Sequence, residues 1–285
     1  MMKTYFQLLD RWMPTLAAQQ VYRVMSQPRV RKLRDFEERI LAQAKSSRRK
    51  FRDFTLQVYE WGRVGDPVVF LVHGWEGQAG NFGGMVDLLV DKGWHVIAFD
   101  GPSHGKSSRG NTSMFDFGQF VAEMMRQHLP RVIISHSFGS VTTAFALREN
   151  PNISIDQWIM VTTPHNFKDR VKQIRDYLGI SDQTLHLLTQ KIEESTGESL
   201  NQLNMDAFGA SLANVEQILI VHSKDDKIIP IEWARRTQRA IAGAEMIELD
   251  QLGHYRILWS PELKVILKEK LLPPPVFIAR DLWTL

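Results

Sequence analysis

Ile133-Ile134-Ser135-His136-Ser137-Phe138-Gly139-Ser140 packs a strand, a turn and the first turn of a helix into eight residues. Branched apolar residues lead into it from Val132, and an apolar helical run follows from Ser140. A turn this tight lifts the central side chain clear of the backbone and demands small neighbours where the chain crowds itself. Ser135 and Gly139 stand two residues either side of Ser137, so the Ser137 hydroxyl is the candidate for presentation.

Outward from this point the chain alternates. Short β-rich runs at 56–61, 68–72, 95–99, 132–135, 157–161, 217–221 and 245–249 are separated by helical spans at 82–91, 115–128, 140–149, 231–241 and 261–271. Several strands are almost continuously apolar, as parallel strands covered on both faces are. The alternation predicts an α/β fold with a mostly parallel sheet flanked by helices. One interval breaks it: residues 166–211 carry helical stripes (Val171, Ile174, Leu178; then Leu185, Leu188, Ile192) punctuated by Gly179, Gly197 and Gly209. A helical cap inserted at the carboxyl edge of the sheet, where open α/β folds place ligands, is the expectation. The first 50 or so residues also show helical spacing, with Phe6, Leu9, Trp12 and Met13, then Val21, Val24 and Met25, then Leu33, Phe36, Ile40 and Leu41. The expected division is a basic helical extension over 1–53, a core over 54–165 and 212–285, and the cap between.

A presented serine needs a base, and the base needs an orienting acid. His254 follows the 245–249 strand in Leu252-Gly253-His254-Tyr255, and Asp226 follows the 217–221 strand in Lys224-Asp225-Asp226-Lys227-Ile228-Ile229-Pro230. Val72-His73-Gly74-Trp75-Glu76 follows a third strand and Asp100-Gly101-Pro102-Ser103-His104-Gly105-Lys106-Ser107 a fourth.

Together these turns resemble the α/β-hydrolase superfamily in its serine-nucleophile branch. The usual nucleophile elbow is Gly-x-Ser-x-Gly; here Ser135 replaces the first glycine. The order Ser137, Asp226, His254 is the superfamily's order. The resemblance implies that Ser137 is the nucleophile, His254 the base and Asp226 the orienting acid. Asp225 is the rival acid, and the position of Asp226 before Ile229 and Pro230 favours it. It also implies an oxyanion hole made by the backbone N–H groups of Trp75 and Phe138, with His73 shaping that turn. The Asp100 loop resembles the family's Asp-x-x-Gly-x-Gly-x-Ser turn behind the site, with Ser103 in place of one glycine. The resemblance covers most of 54–271.

Composition limits the alternatives. With no cysteine there are no disulfides, no thiolate catalysis and no Cys-ligated metal. The Gly105-Lys106-Ser107 ending lacks a phosphate loop's spacing, because Asp100 stands where the first glycine belongs. An aspartate nucleophile is disfavoured by Ser137 itself. No cofactor and no metal are expected. The net charge of +3 is uneven: residues 1–52 hold 13 basic and 4 acidic residues, and the remainder nets −6. That excess is read first as a solvated helix surface; contact of residues 1–52 with an anionic membrane is the weaker reading, and nucleic acid is not expected. The chain start lacks a secretory signal's apolar segment, and no apolar run reaches membrane-spanning length, so a cytoplasmic setting is expected. Oligomeric state is not legible. The expected reaction is hydrolysis of a small or medium carboxylic ester through an acyl-enzyme; amides, thioesters or carbon–carbon bonds suit the same groups. A noncatalytic binding or regulatory protein on the same fold is the rival class.

Overall fold

Alternate residues of each central strand feed two separate cores. Phe70 and Val72, Ile97 and Phe99, Ile133, and Trp158 and Met160 enter one. Val69 and Leu71, Val96 and Ala98, Val132 and Ile134, and Ile159 and Val161 enter the other. A sheet covered on both faces follows, because a strand's side chains alternate between its faces. Each large apolar side chain so buried contributes about 1.5–3 kcal/mol.

The computed structural model describes residues 2–29, 32–209 and 211–275. Its strands are β1 (Lys45–Phe51), β2 (Phe54–Trp61), β3 (Val68–Val72), β4 (His95–Asp100), β5 (Val132–His136), β6 (Ile155–Val161), β7 (Val215–Ser223) and β8 (Glu245–Leu249), ordered β1-β2-β4-β3-β5-β6-β7-β8. The pairs β1–β2 and β2–β4 are antiparallel and the rest are parallel. Helices α4 (Gly83–Asp91), α5 (Met114–His128), α6 (Phe138–Glu149), α10 (Ile231–Ala240) and α12 (Pro261–Lys270) flank the sheet. This is an α/β-hydrolase fold with N-terminal helices before the sheet. Among the described residues no helix is long and apolar enough to cross a membrane.

Between β6 and β7 lie α7 (Phe167–Leu178), α8 (Asp182–Thr196) and α9 (Met205–Gly209). Gly179 and Gly197 cap α7 and α8 in the left-handed conformation, and Gly209 is the last residue of α9, so each of the three glycines in this segment stands at a helix end.

Residues 1–53, expected to form a helical extension, hold a strand as well as helices among the described residues. Helices α1 (Met2–Trp12) and α2 (Pro14–Met25) lie on α7 and α8. Helix α3 (Asp35–Ala42) sits instead across the sheet, with Ile40 and Leu41 in the second core. The helical expectation fails at 45–51: β1 is an edge strand in register with β2, from Lys45 opposite Glu60 to Phe51 opposite Phe54. Its sequence, KSSRRKF, has no apolar alternation because its side chains are largely exposed; the backbone ladder makes the strand. Lysine and arginine on an exposed edge also discourage pairing with other chains.

Candidate active site

Ser137 sits where β5 turns into α6, with φ 54° and ψ −124°. A positive φ on a non-glycine residue costs about 1–3 kcal/mol and persists only where its surroundings enforce it. Here the Ser137 N–H donates to the Val161 carbonyl at 2.9 Å, and its own carbonyl accepts from Ser140 at 2.9 Å. Gly139 is required on the far side: a Cβ there would lie 2.3 Å from the Val72 carbonyl oxygen. Ser135, which replaces the family's first glycine, is buried, and its hydroxyl accepts from the Trp158 indole N–H at 2.8 Å and pairs with the Ser140 hydroxyl at 2.9 Å. The extra side chain therefore reaches into satisfied polar contacts and does not crowd the elbow.

The structure brings His254 and Asp226 together. His254, in the short helix α11 (Gly253–Arg256), places Nδ1 2.7 Å from Asp226 Oδ2. The other carboxylate oxygen, Oδ1, accepts the backbone N–H groups of Ile228 and Ile229 at 2.8 and 2.9 Å. Burial works to raise the Asp226 pKa, but the hydrogen bond and charge of His254 and these two amides outweigh it, holding the carboxyl below the usual range. An ionised carboxylate only accepts, so the neutral His254 ring carries its proton on Nδ1 and leaves the Nε2 lone pair free to accept one. Asp225 has different work: it accepts from the Ser223 hydroxyl and from the Gly253 N–H, tying the β7 loop to the β8 loop.

Two further histidines brace this pair. His222 Nε2 donates to the Ile229 carbonyl at 2.9 Å, holding the acid loop. His136, beside Ser137, is buried against His254 with ring centroids 4.8 Å apart, and its Nε2 donates to the His254 carbonyl at 2.9 Å. Burial, then the neighbouring His254, pushes the His136 pKa down to about 3, so it is a neutral donor. The sequence marks His136 only as a neighbour of Ser137. Its partner lies 118 residues away, and no local pattern announces it.

The Trp75 turn is pressed against the elbow: a Cβ on Gly74 would lie 3.0 Å from Ser137 Cβ. Phe138 is the first residue of α6, so its N–H belongs to the first-turn amides that have no partner within the helix. The side chains of Trp75 and Phe138 meet edge to face at 5.4 Å. His73 Nε2 accepts from the Gly101 N–H at 2.9 Å and Nδ1 donates to the Gly74 carbonyl at 2.7 Å. Burial pushes its pKa down to about 4, which keeps it in this neutral form. Gly101 in turn lies in the loop of Asp100, whose buried carboxylate accepts from Ala79 N–H at 2.8 Å and Lys106 N–H at 2.7 Å. Burial raises its pKa to about 6. The Asp100 loop is thus a brace behind the site.

Ser137, Phe138, Trp75 and His254 all open on one cavity of about 360 Å³. Among the described residues Ser137 Oγ makes no hydrogen bond to His254; the two meet as walls of that cavity. Looser contacts of this kind are usual in unliganded sites. The far walls are a surprise: Val21, Tyr22, Val24 and Met25 of α2 line the cavity opposite Ile174 and Leu178 of α7 and Ile192 of α8. The N-terminal helices are therefore part of the roof. Periodicity revealed their apolar faces but not what those faces cover. Arg29, Glu76 and Arg170 are the charged residues of a mainly apolar lining. Among the described residues no group of three or more His, Asp or Glu side chains converges to hold a metal ion.

Residues 65–207 match the family described as serine aminopeptidase, S33. The chain belongs to this family of α/β-hydrolases. This hydrolase is 24% identical to human Protein ABHD8 over 254 residues, which covers 75% of this chain and 57% of that one. It spans under three fifths of the ABHD8 length. Uncharacterized hydrolase YugF of Bacillus subtilis is 22% identical over 268 residues, covering 78% of this chain and 96% of YugF. Among solved structures, a putative lipase from Acinetobacter baumannii superposes with a TM-score of 0.61 at 21% identity, covering 83% of this chain and 95% of the lipase. A thioesterase domain from the curacin biosynthetic pathway gives 0.59 at 16%, covering 79% of this chain and 99% of that domain. Likeness at these identities concerns the fold alone.

Proposed function

We propose that this hydrolase cleaves carboxylic esters with apolar acyl groups of medium length, through an acyl-enzyme on Ser137. The observation that carries the reading is the hydrogen bond of 2.7 Å between His254 Nδ1 and Asp226 on the wall of the cavity that Ser137 enters. His254 Nε2 takes the Ser137 proton as Oγ attacks the acyl carbon, and returns it to the leaving alcohol. Asp226 holds the tautomer and stabilises the imidazolium. The N–H groups of Trp75 and Phe138 receive the oxyanion. Water then attacks the acyl-enzyme with His254 again as base, regenerating Ser137 and releasing the acid. His136 acts through His254 as a positioning residue.

A cavity of about 360 Å³ lies in the range of small-molecule sites, and its apolar walls suit an acyl chain better than a polar one. The test is hydrolysis of chromogenic esters of graded acyl length by the wild-type chain and Ser137→Ala. Turnover that peaks at medium length and is lost in the variant supports the reading. Turnover confined to amides or thioesters replaces the ester by that substrate, and turnover unchanged in Ser137→Ala removes the nucleophile.

A further inference from the structure

Among the described residues, five of the ten exposed large apolar side chains lie on α1 or directly after it. Tyr5, Leu8 and Trp12 of α1 are 54%, 60% and 75% exposed, and Met13, just after it, is 53% exposed. Spaced three and four residues apart, Tyr5, Leu8 and Trp12 share one side of the helix. The other side is committed: Phe6 is buried in the first core, and Asp10 accepts from the Ser181 N–H and hydroxyl at 2.9 and 2.7 Å at the start of α8. So α1 is held in place by one face while presenting an apolar one outward. Tyr177 of α7, which packs against α1, is also exposed, at 68%.

Charge says what would cover it. Residues 1–34 contain seven basic residues, and Asp10, already used inward, is their one acid. Lys3 and Arg11 are exposed on α1 itself, with the Arg11 guanidinium 5.5 Å from the Trp12 ring centre. The nearby Asp176 and Asp182 are both ion-paired with Arg175. An exposed apolar and aromatic face flanked by cations is the pattern of a helix that lies in the interface of an anionic bilayer.

We propose that α1 is an interfacial helix by which this chain docks reversibly on an anionic phospholipid membrane. Its position gives the docking a use: Met2 of α1 and Tyr177 of α7 both line the cavity that Ser137 enters, so the docked helix would set the cavity rim against the bilayer. That the cavity then receives an amphiphilic ester rests on the proposed hydrolysis; the docking does not.

Vesicle co-sedimentation of the full chain tests docking without reference to catalysis. Vesicles of phosphatidylglycerol mixed with phosphatidylcholine are compared with phosphatidylcholine alone, for the wild type and for the double variant Leu8→Glu/Trp12→Glu. Both altered side chains are exposed and neither lines the cavity. The wild type is expected to bind the anionic vesicles at least about tenfold more tightly than the neutral ones, and at least about tenfold more tightly than the variant. Raising salt from about 0.1 M to about 1 M should weaken that binding, since the screening length shrinks from about 10 Å to about 3 Å. Equal binding by wild type and variant overturns the proposal, as does failure of the wild type to bind anionic vesicles. So does a wild-type chain that dimerises through this face, with the variant monomeric and neither binding vesicles. Unchanged thermal unfolding of the variant confirms that the change is confined to the surface.

Discussion

The floor and the roof of the cavity are built on opposite principles. The floor is held by directed bonds, of which His73 to Gly101, Asp100 to Ala79, His136 to His254 and His254 to Asp226 join loops distant in sequence, while Lys106 binds Asp100, and Ile228 and Ile229 bind Asp226, within their own loops. The roof is four amphipathic helices, α1, α2, α7 and α8, contributing Val24, Met25, Ile174 and Ile192 to the lining. Buried hydrogen bonds fix geometry and are expensive to leave unmade, whereas apolar contacts tolerate exchange at similar volume. The floor is therefore the place for chemistry, and the roof the place where acyl length can be set.

Removing a floor bond should have the largest effect. Asp226→Asn keeps the shape but favours the wrong His254 tautomer, and kcat for an ester should fall by about 10³–10⁴ with unfolding nearly unchanged. Steady-state kinetics beside a urea melt would separate the two. Ser135→Gly restores the residue usual at this elbow, yet should destabilise the fold by about 1–3 kcal/mol, because the buried Trp158 indole loses its acceptor. An unchanged or higher urea midpoint would show that Ser135 is not structural.

In the roof the changes should be smaller and selective. Val24→Phe intrudes on the apolar end of the cavity, and kcat/KM for the longer acyl esters should drop about tenfold with the acetate ester unaffected, since apolar pocket changes are worth about 10–200-fold. A uniform loss across all lengths would break the division between floor and roof.

The smallest effect is in the pH dependence of stability. The unfolded chain takes up protons on His73 and His136 near pH 6.5, whereas the folded chain does so only near pH 4 and pH 3. Their contribution is complete above pH 6.5 and drains away as pH falls below it. Asp100 works the other way: raised from 3.8 to about 6, it favours the folded state increasingly as pH falls through that window. Two histidines against one carboxylate make the net change on acidification a loss. His136→Gln, which keeps a donor for the His254 carbonyl but no proton site, should reduce that loss by up to about 1.4 kcal/mol for each pH unit between 6.5 and the folded-state value. An acid limb identical to wild type would contradict it.

The parts written in local sequence were legible. Seven strands were visible as short β-rich runs, several of them almost continuously apolar, and the residues of the floor stand at the ends of strands or in the turns that follow them. Asp226 was separable from Asp225 by its place before Ile229, whose amide it accepts. Strand β1 was not legible because KSSRRKF pairs through its backbone and leaves its side chains mostly to solvent. Nor was the Ser135–Trp158 bond, which makes sense of the missing glycine but joins two strands through side chains alone. The same limit applies to α2: periodicity shows that Val21 and Val24 face something, and only the folded chain shows that it is the cavity.

The central claim is that Ser137 is an activated nucleophile. Its most direct test is labelling by an active-site-directed fluorophosphonate, read by intact mass and peptide mapping in the wild-type chain, Ser137→Ala and His254→Ala. One adduct per chain on the peptide containing Ser137, absent from Ser137→Ala and slowed at least about a hundredfold in His254→Ala, is the expected result. An adduct at another residue, or labelling of Ser137 that proceeds equally well without His254, would contradict the account.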